Sequence, residues 1–187
     1  YYKEEENHLI DVIVQNIQNL PVNQQSSAFY ILFQSCLIKR PFNLFHRRNL
    51  NLRTNYTVSN FGNKKTWETP FYDLFLRFTR ELNNFQFEEI PNIQITNTSA
   101  LNSNSHADLV YIDTPYFSSK SSDVSYHSRY HFLEGLVNYD QIPDIINLEK
   151  SNREVLLGKH DEFVNKNNYI QELNDLLCIH QDSIIVM

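Results

Sequence analysis

The densest chemistry in this 187-residue chain lies in four consecutive residues, Asp113, Thr114, Pro115 and Tyr116. They follow the apolar run Leu109-Val110-Tyr111-Ile112, the pattern of a parallel strand buried on both faces. In open parallel sheets, ligands sit beyond the carboxyl ends of the strands. Asp113 stands at such an end. Pro115 lacks a backbone donor and restricts Thr114 to extended geometry, which leaves the Thr114 carbonyl and the Asp113 carboxylate free to face one ligand. Two neighbouring acceptors suit an exocyclic amino group with its two N–H donors, and Tyr116 offers a flat face to a base that has left its stack. The same four letters also describe an ordinary turn, with Asp capping the next segment and Tyr covering the edge of the core. Taken alone they favour the ordinary turn.

A second group of residues bears on a polyanionic partner. The chain carries a net charge of -6, which argues against a uniformly basic nucleic-acid binder. From residue 39 to residue 67, however, Lys39, Arg40, Arg47, Arg48, Arg53, Lys64 and Lys65 occur without a single acid, with Phe42, Phe45, Tyr56, Phe61 and Trp67 interleaved. Such a stretch is expected to track phosphates, with Arg47, Arg48, Lys64 and Lys65 foremost. A solvated basic loop anchored by its aromatics is the alternative. His127, His131 and Glu134 share helical spacing, but their order is wrong for H-E-x-x-H, so a structural role is expected and no metal is assigned. Asp108 and Asp113 are not expected to work as a pair, because alternation along a strand keeps them out of one pocket.

The elements that must position these residues follow from periodicity. Leu9, Ile10, Ile13, Ile17 and Leu20 predict a helix from about residue 3 that Pro21 stops. A second, capped by Ser26 or Ser27, is predicted over residues 28–38. Residues 41–68 read as irregular with short strands. Thr69 and Pro70 open a third helix, whose stripe is Leu74, Phe75, Phe78, Leu82 and Phe85. Beyond it the pattern predicts a strand at 93–96, polar loops at 97–106 and 118–125, and the strand at 109–112. Helices over 128–140, 144–157 and 168–179 and a final strand over 183–187 complete the reading. Strands alternating with helices favour a parallel sheet flanked by helices in the second half.

Composition narrows the setting. Cys36 and Cys178 are far apart, there is no signal-like start, and no apolar run approaches the roughly 20 residues of a membrane span, so a reduced, cytoplasmic protein is expected. Both cysteines read as core residues. Only Gly62, Gly135 and Gly158 occur, each isolated, which excludes a G-x-G-x-x-G turn and a phosphate-binding P-loop.

Residues 107–117, A-D-L-V-Y-I-D-T-P-Y-F, resemble the catalytic motif of DNA adenine-N6 methyltransferases, whose pattern is D-P-P-Y after an apolar strand. Three further blocks resemble the Dam-like class of that family: residues 33–53 with K-R-P-F-N-L-F-H-R-R-N-L, residues 61–71 with F-G-N-K-K-T-W-E-T-P-F, and residues 128–139 with S-R-Y-H-F-L-E-G-L-V-N-Y. Together they cover most of residues 28–140 in the expected order. The resemblance implies that Asp113 and the Thr114 carbonyl hold the amino group of a flipped adenine, and that Tyr116 stacks on its ring beside Pro115. Arg129 and Tyr130 are candidates to shape the loop over that pocket, with a surface salt bridge explaining Arg129 equally well. S-adenosylmethionine is the implied methyl donor, double-stranded DNA the implied partner and a restriction-modification system the implied setting.

Thr114 departs from the family, which has proline there. The family's cofactor loop is missing too, and Thr98 and Ser99 stand where the resemblance calls for a carboxylate on a strand spanning 93–101. The expected fold is therefore α/β: a partial Rossmann-like methyltransferase sheet flanked by helices, with a helical and irregular basic insertion. On this reading residues 1–187 form one partial methyltransferase domain, 39–90 the DNA-contacting insertion and 91–187 the catalytic sheet portion, and the chain is a piece of something longer. The rival expectations are a DNA-binding remnant without catalysis and a metal-dependent nuclease or deaminase using His127, His131 and Asp113.

Overall fold

A computed structural model describes residues 1–41, 45, 48–55, 64–85, 93–103, 106–114, 126–151, 153–155, 163 and 167–187, with the side chains of Arg48, Lys64, Lys65, Tyr126, His127 and Ser128 outside that description. The described chain is mixed α/β and mostly helical. It divides into two compact units, Tyr1–Glu88 with His127–Leu157, and Glu89–Tyr126 with Gly158–Met187. The segment from 127 to 157, expected with the catalytic sheet, thus belongs to the first unit.

The first unit is helical. Helix α1, Glu4–Gln18, opens on three glutamates, which suit the positive end of the helix dipole, and the Lys3 amide donates to the Glu6 carboxylate at 3.0 Å. It buries Ile10, Val14 and Ile17. Pro21 ends that helix and also starts α2, Val22–Ile38, where its carbonyl accepts from the Gln24 amide at 2.8 Å. The start at Val22 rather than residue 28 has a local cause: a proline just before a helix is preorganised for the first turn, which needs no core contact. Residues expected to be irregular instead form two short helices, α3 (Arg48–Asn55) and α4 (Lys64–Glu68). Helix α5, Phe71–Asn84, buries Phe71, Leu74 and Phe78, while Phe85 at the end of the predicted stripe is 66% exposed.

Helix α6, Tyr126–Val137, adds Leu133 and Leu136 to the core formed by Tyr2, Ile10, Val14, Leu32 and Cys36. The helix predicted over 144–157 shrinks to α7, Ile142–Ile145. Asn147 accepts the Glu149 amide at 3.0 Å and its own amide reaches the Glu154 carbonyl at 2.8 Å, so a side-chain turn displaces the helical ladder. Arg153 follows with φ of 52°, which no α-helix accommodates, and Ile146 pairs antiparallel with Val155.

In the second unit, β1 (Leu109–Tyr111) and β2 (Ile184–Val186) pair in parallel, Leu109 opposite Ile184 and Tyr111 opposite Val186. Helix α8, Tyr169–Ile179, precedes β2 as a parallel connection requires. Val110 and Ile185 pack with Ile112, Phe163 and Leu176. The other face is open: Leu109 is 58% exposed, Tyr111 and Ile184 67% each. The apolar run is therefore buried on one face, not on both. Among the described residues the sheet has these two strands only. Residues 93–97 are not a strand, and Ile95 is 91% exposed.

Candidate functional site

The parallel pair carries the chain straight into the candidate site. The Ile112 amide donates to the Val186 carbonyl at 2.8 Å, extending the ladder one step past β1, and Asp113 and Thr114 then leave the sheet at the carboxyl ends of both strands. Asp113 is exposed and Thr114 half-buried. The Thr114 hydroxyl lies 2.8 Å from the Tyr169 hydroxyl, at the first residue of α8. Tyr169 is itself held edge-on to Phe163, with ring centroids 6.5 Å apart. The exit therefore offers an open carboxylate beside a threonine anchored through its side chain. Pro115 and Tyr116 lie outside the described residues, as does the serine-rich loop at 118–125. Tyr169 was not singled out in the sequence; the only signal for it was the predicted helix start at 168.

The basic stretch behaves differently. Lys39 is 2% exposed, and its ammonium reaches the Glu6 carboxylate at 2.8 Å and the carbonyls of Trp67 and Thr69 at 3.0 and 2.6 Å. The side chain of Arg53 is 3% exposed and reaches the same Glu6 oxygen at 2.6 Å and the Trp67 carbonyl at 3.3 Å. Arg40 lies over the rings of Phe45 and Tyr130, 5.0 and 6.0 Å from their centroids. Lys39 and Arg53 thus correct the expectation that the whole stretch faces phosphates. Two buried cations need a carboxylate, and α1 supplies it. Arg47 lies outside the described residues. Arg48 opens α3, and Lys64 and Lys65 open α4.

Burial opposes ionisation of Glu6, yet the hydrogen bonds from Arg53 and Lys39 outweigh it and hold the carboxyl down at about 2. Burial pulls the Lys39 ammonium down, and Glu6 restores part of the shift. Beside this cluster is a recess of about 380 Å³. Its charged lining is balanced, with Lys3, Lys39 and Arg53 against Glu5, Glu6 and Glu68, so it has no bias toward a phosphate.

His131 is buried, with its Nε2 2.6 Å from the Tyr1 hydroxyl and its ring against Tyr1 and Phe45. That is the structural role expected of it. Among the described residues, no three His, Cys, Asp or Glu side chains gather as a metal site. Cys36 is buried, and burial pushes its thiol up to about 12, which makes it an inert core residue; Cys178, expected in the core, is exposed instead. No described helix is long and apolar enough to cross a membrane.

Among the described residues, no cradle for the S-adenosylmethionine implied by the resemblance is found. The segment from 93 to 97 is not a strand, the Ser99 hydroxyl accepts the Leu101 amide at 3.3 Å, and the three glycines are isolated. No family model, no curated protein and no solved structure matches this chain.

Proposed function

We propose that the intact protein methylates adenine at N6 in double-stranded DNA, and that Asp113 and Thr114 hold the target base. The two parallel strands are then read as part of a larger Rossmann-like sheet. The observation that supports this most is the exposed carboxylate of Asp113, followed by Thr114, at the carboxyl end of a parallel strand. A base-binding pair belongs at that end. The carboxylate and the Thr114 carbonyl accept the two N–H bonds of the extruded amino group. This draws the nitrogen out of conjugation with the ring and aims its lone pair, so positioning lowers the barrier without a protein nucleophile. Tyr116 takes the ring face in this reading. No residue of this chain is assigned to the methyl donor.

Asp113→Ala tests the reading directly. Incorporation of labelled methyl groups into adenine should fall at least about a hundredfold while DNA retention holds, because the carboxylate acts only on the flipped base. Undiminished incorporation would refute the assignment. A second reading is a DNA-binding remnant without catalysis. Titration of the intact protein with S-adenosylmethionine separates the two: DNA binding without cofactor binding selects the remnant.

A further inference from the structure

We infer that Tyr169 is a positioning residue for the strand-exit turn, and that its hydroxyl substitutes for the ring of a second proline at position 114. The inference rests on the proposed role of Asp113 and Thr114, and its starting point is a mismatch between rigidity and function. A turn that offers a carboxylate and a peptide carbonyl to one amino group must hold the two within a few tenths of an ångström. Proline fixes its own φ; threonine does not. With Thr114 flanked by Pro115 on one side only, its backbone keeps a freedom that a proline would remove.

The structure supplies a compensating restraint. The Thr114 hydroxyl meets the Tyr169 hydroxyl at 2.8 Å, and the two residues are 55 positions apart in sequence. Tyr169 is a rigid partner. It is the first residue of α8, it packs against Phe163, and α8 is anchored through Leu176 to the core that also holds Ile112. Ile112 is in turn tied to β2 through its amide. Asp113 is thus bracketed by a ladder bond on one side and a side-chain anchor on the other. A proline at 114 would break no backbone hydrogen bond found among the described residues, and Thr114 does not have a positive φ.

The test is a rescue. Tyr169→Phe removes only the hydroxyl and keeps the ring on Phe163. In the intact protein this change should lower methylation turnover about five- to tenfold, the range expected from one hydrogen bond, with KM for DNA unchanged. Adding Thr114→Pro to Tyr169→Phe should restore turnover to within about twofold, since the restraint becomes covalent. A tyrosine that merely supports the fold predicts no such rescue.

A second readout needs no activity. Hydrogen exchange at the Ile112 amide, which donates to the Val186 carbonyl just before the turn, should quicken about five- to tenfold in Tyr169→Phe and return toward the original rate in the double variant. Unchanged exchange in Tyr169→Phe, or a folded double variant that shows no recovery, overturns the inference. Should Asp113→Ala leave methylation intact, or should the intact protein methylate nothing, the base-holding reading falls by itself and the exchange experiment still decides whether Tyr169 restrains the turn.

Discussion

The helical unit and the strand-bearing unit treat their polar side chains in opposite ways. In the first, Lys39 and Arg53 point inward onto Glu6 and two backbone carbonyls, and are nearly inaccessible to solvent. In the second, Asp113 stands exposed at the end of a strand, and its neighbour Thr114 is tied through a hydroxyl to Tyr169. Charge within the fold therefore serves stability in one unit, whereas the carboxylate at the strand end stays exposed to solvent. A positive stretch in a sequence is evidence of a phosphate surface only after its internal partners have been removed from it.

That contrast can be broken by mutation, and the largest effect belongs to the buried cluster. Glu6→Ala leaves two buried cations without their carboxylate and should cost about 3–5 kcal/mol in urea unfolding, with a loss under about 1 kcal/mol showing that the cluster is dispensable. Because the Glu6 carboxyl is held down at about 2 against an ordinary value of 4.5, its stabilisation is complete above about pH 4.5 and disappears as the pH falls toward 2. Acid titration followed by circular dichroism should show the helical unit losing on the order of 2–3 kcal/mol in that window. In Glu6→Gln the same window should be flat.

Asp113→Ala is the opposite case. Its effect on methylation is predicted above, but its effect on unfolding should stay within about 0.5 kcal/mol, since the side chain is exposed. A large destabilisation would mean that Asp113 is a structural cap and not a ligand group. The smallest effect separates the buried cations from Arg47 and Arg48. Neutralising Arg47 and Arg48 together should lower the salt dependence of DNA binding by about two contacts' worth, a change in slope of roughly 1.8. Lys39→Gln should leave that slope unchanged while weakening the fold. Equal slopes for both variants would remove Arg47 and Arg48 from the phosphate interface.

Several features were legible from local sequence because their causes are local. The Ile10 and Ile17 spacing, the Leu74 and Phe78 stripe, the apolar run at 109–112 and the final strand each depend on neighbours within a turn or a pleat, whereas Leu9 and Leu20 of the same predicted stripe are exposed and Val14, outside it, is buried. The helix over 144–157 failed because the Asn147 side chain offered the backbone a competing turn, a choice that helical periodicity does not register. The strand at 93–96 failed because alternation alone does not make a strand where, among the described residues, no neighbour completes the ladder.

What this sequence determines by itself is the placement of an acid, a threonine and a proline directly after a strand, and of seven cations in one acid-free stretch. Tertiary structure decided the rest. The carboxylate that binds Arg53 is 47 residues away, and the hydroxyl that meets Thr114 is 55 residues away. Whether a cation faces solvent or core depends on whether burial is offset by a partner, and chain folding, not local spacing, brings that partner within 3 Å.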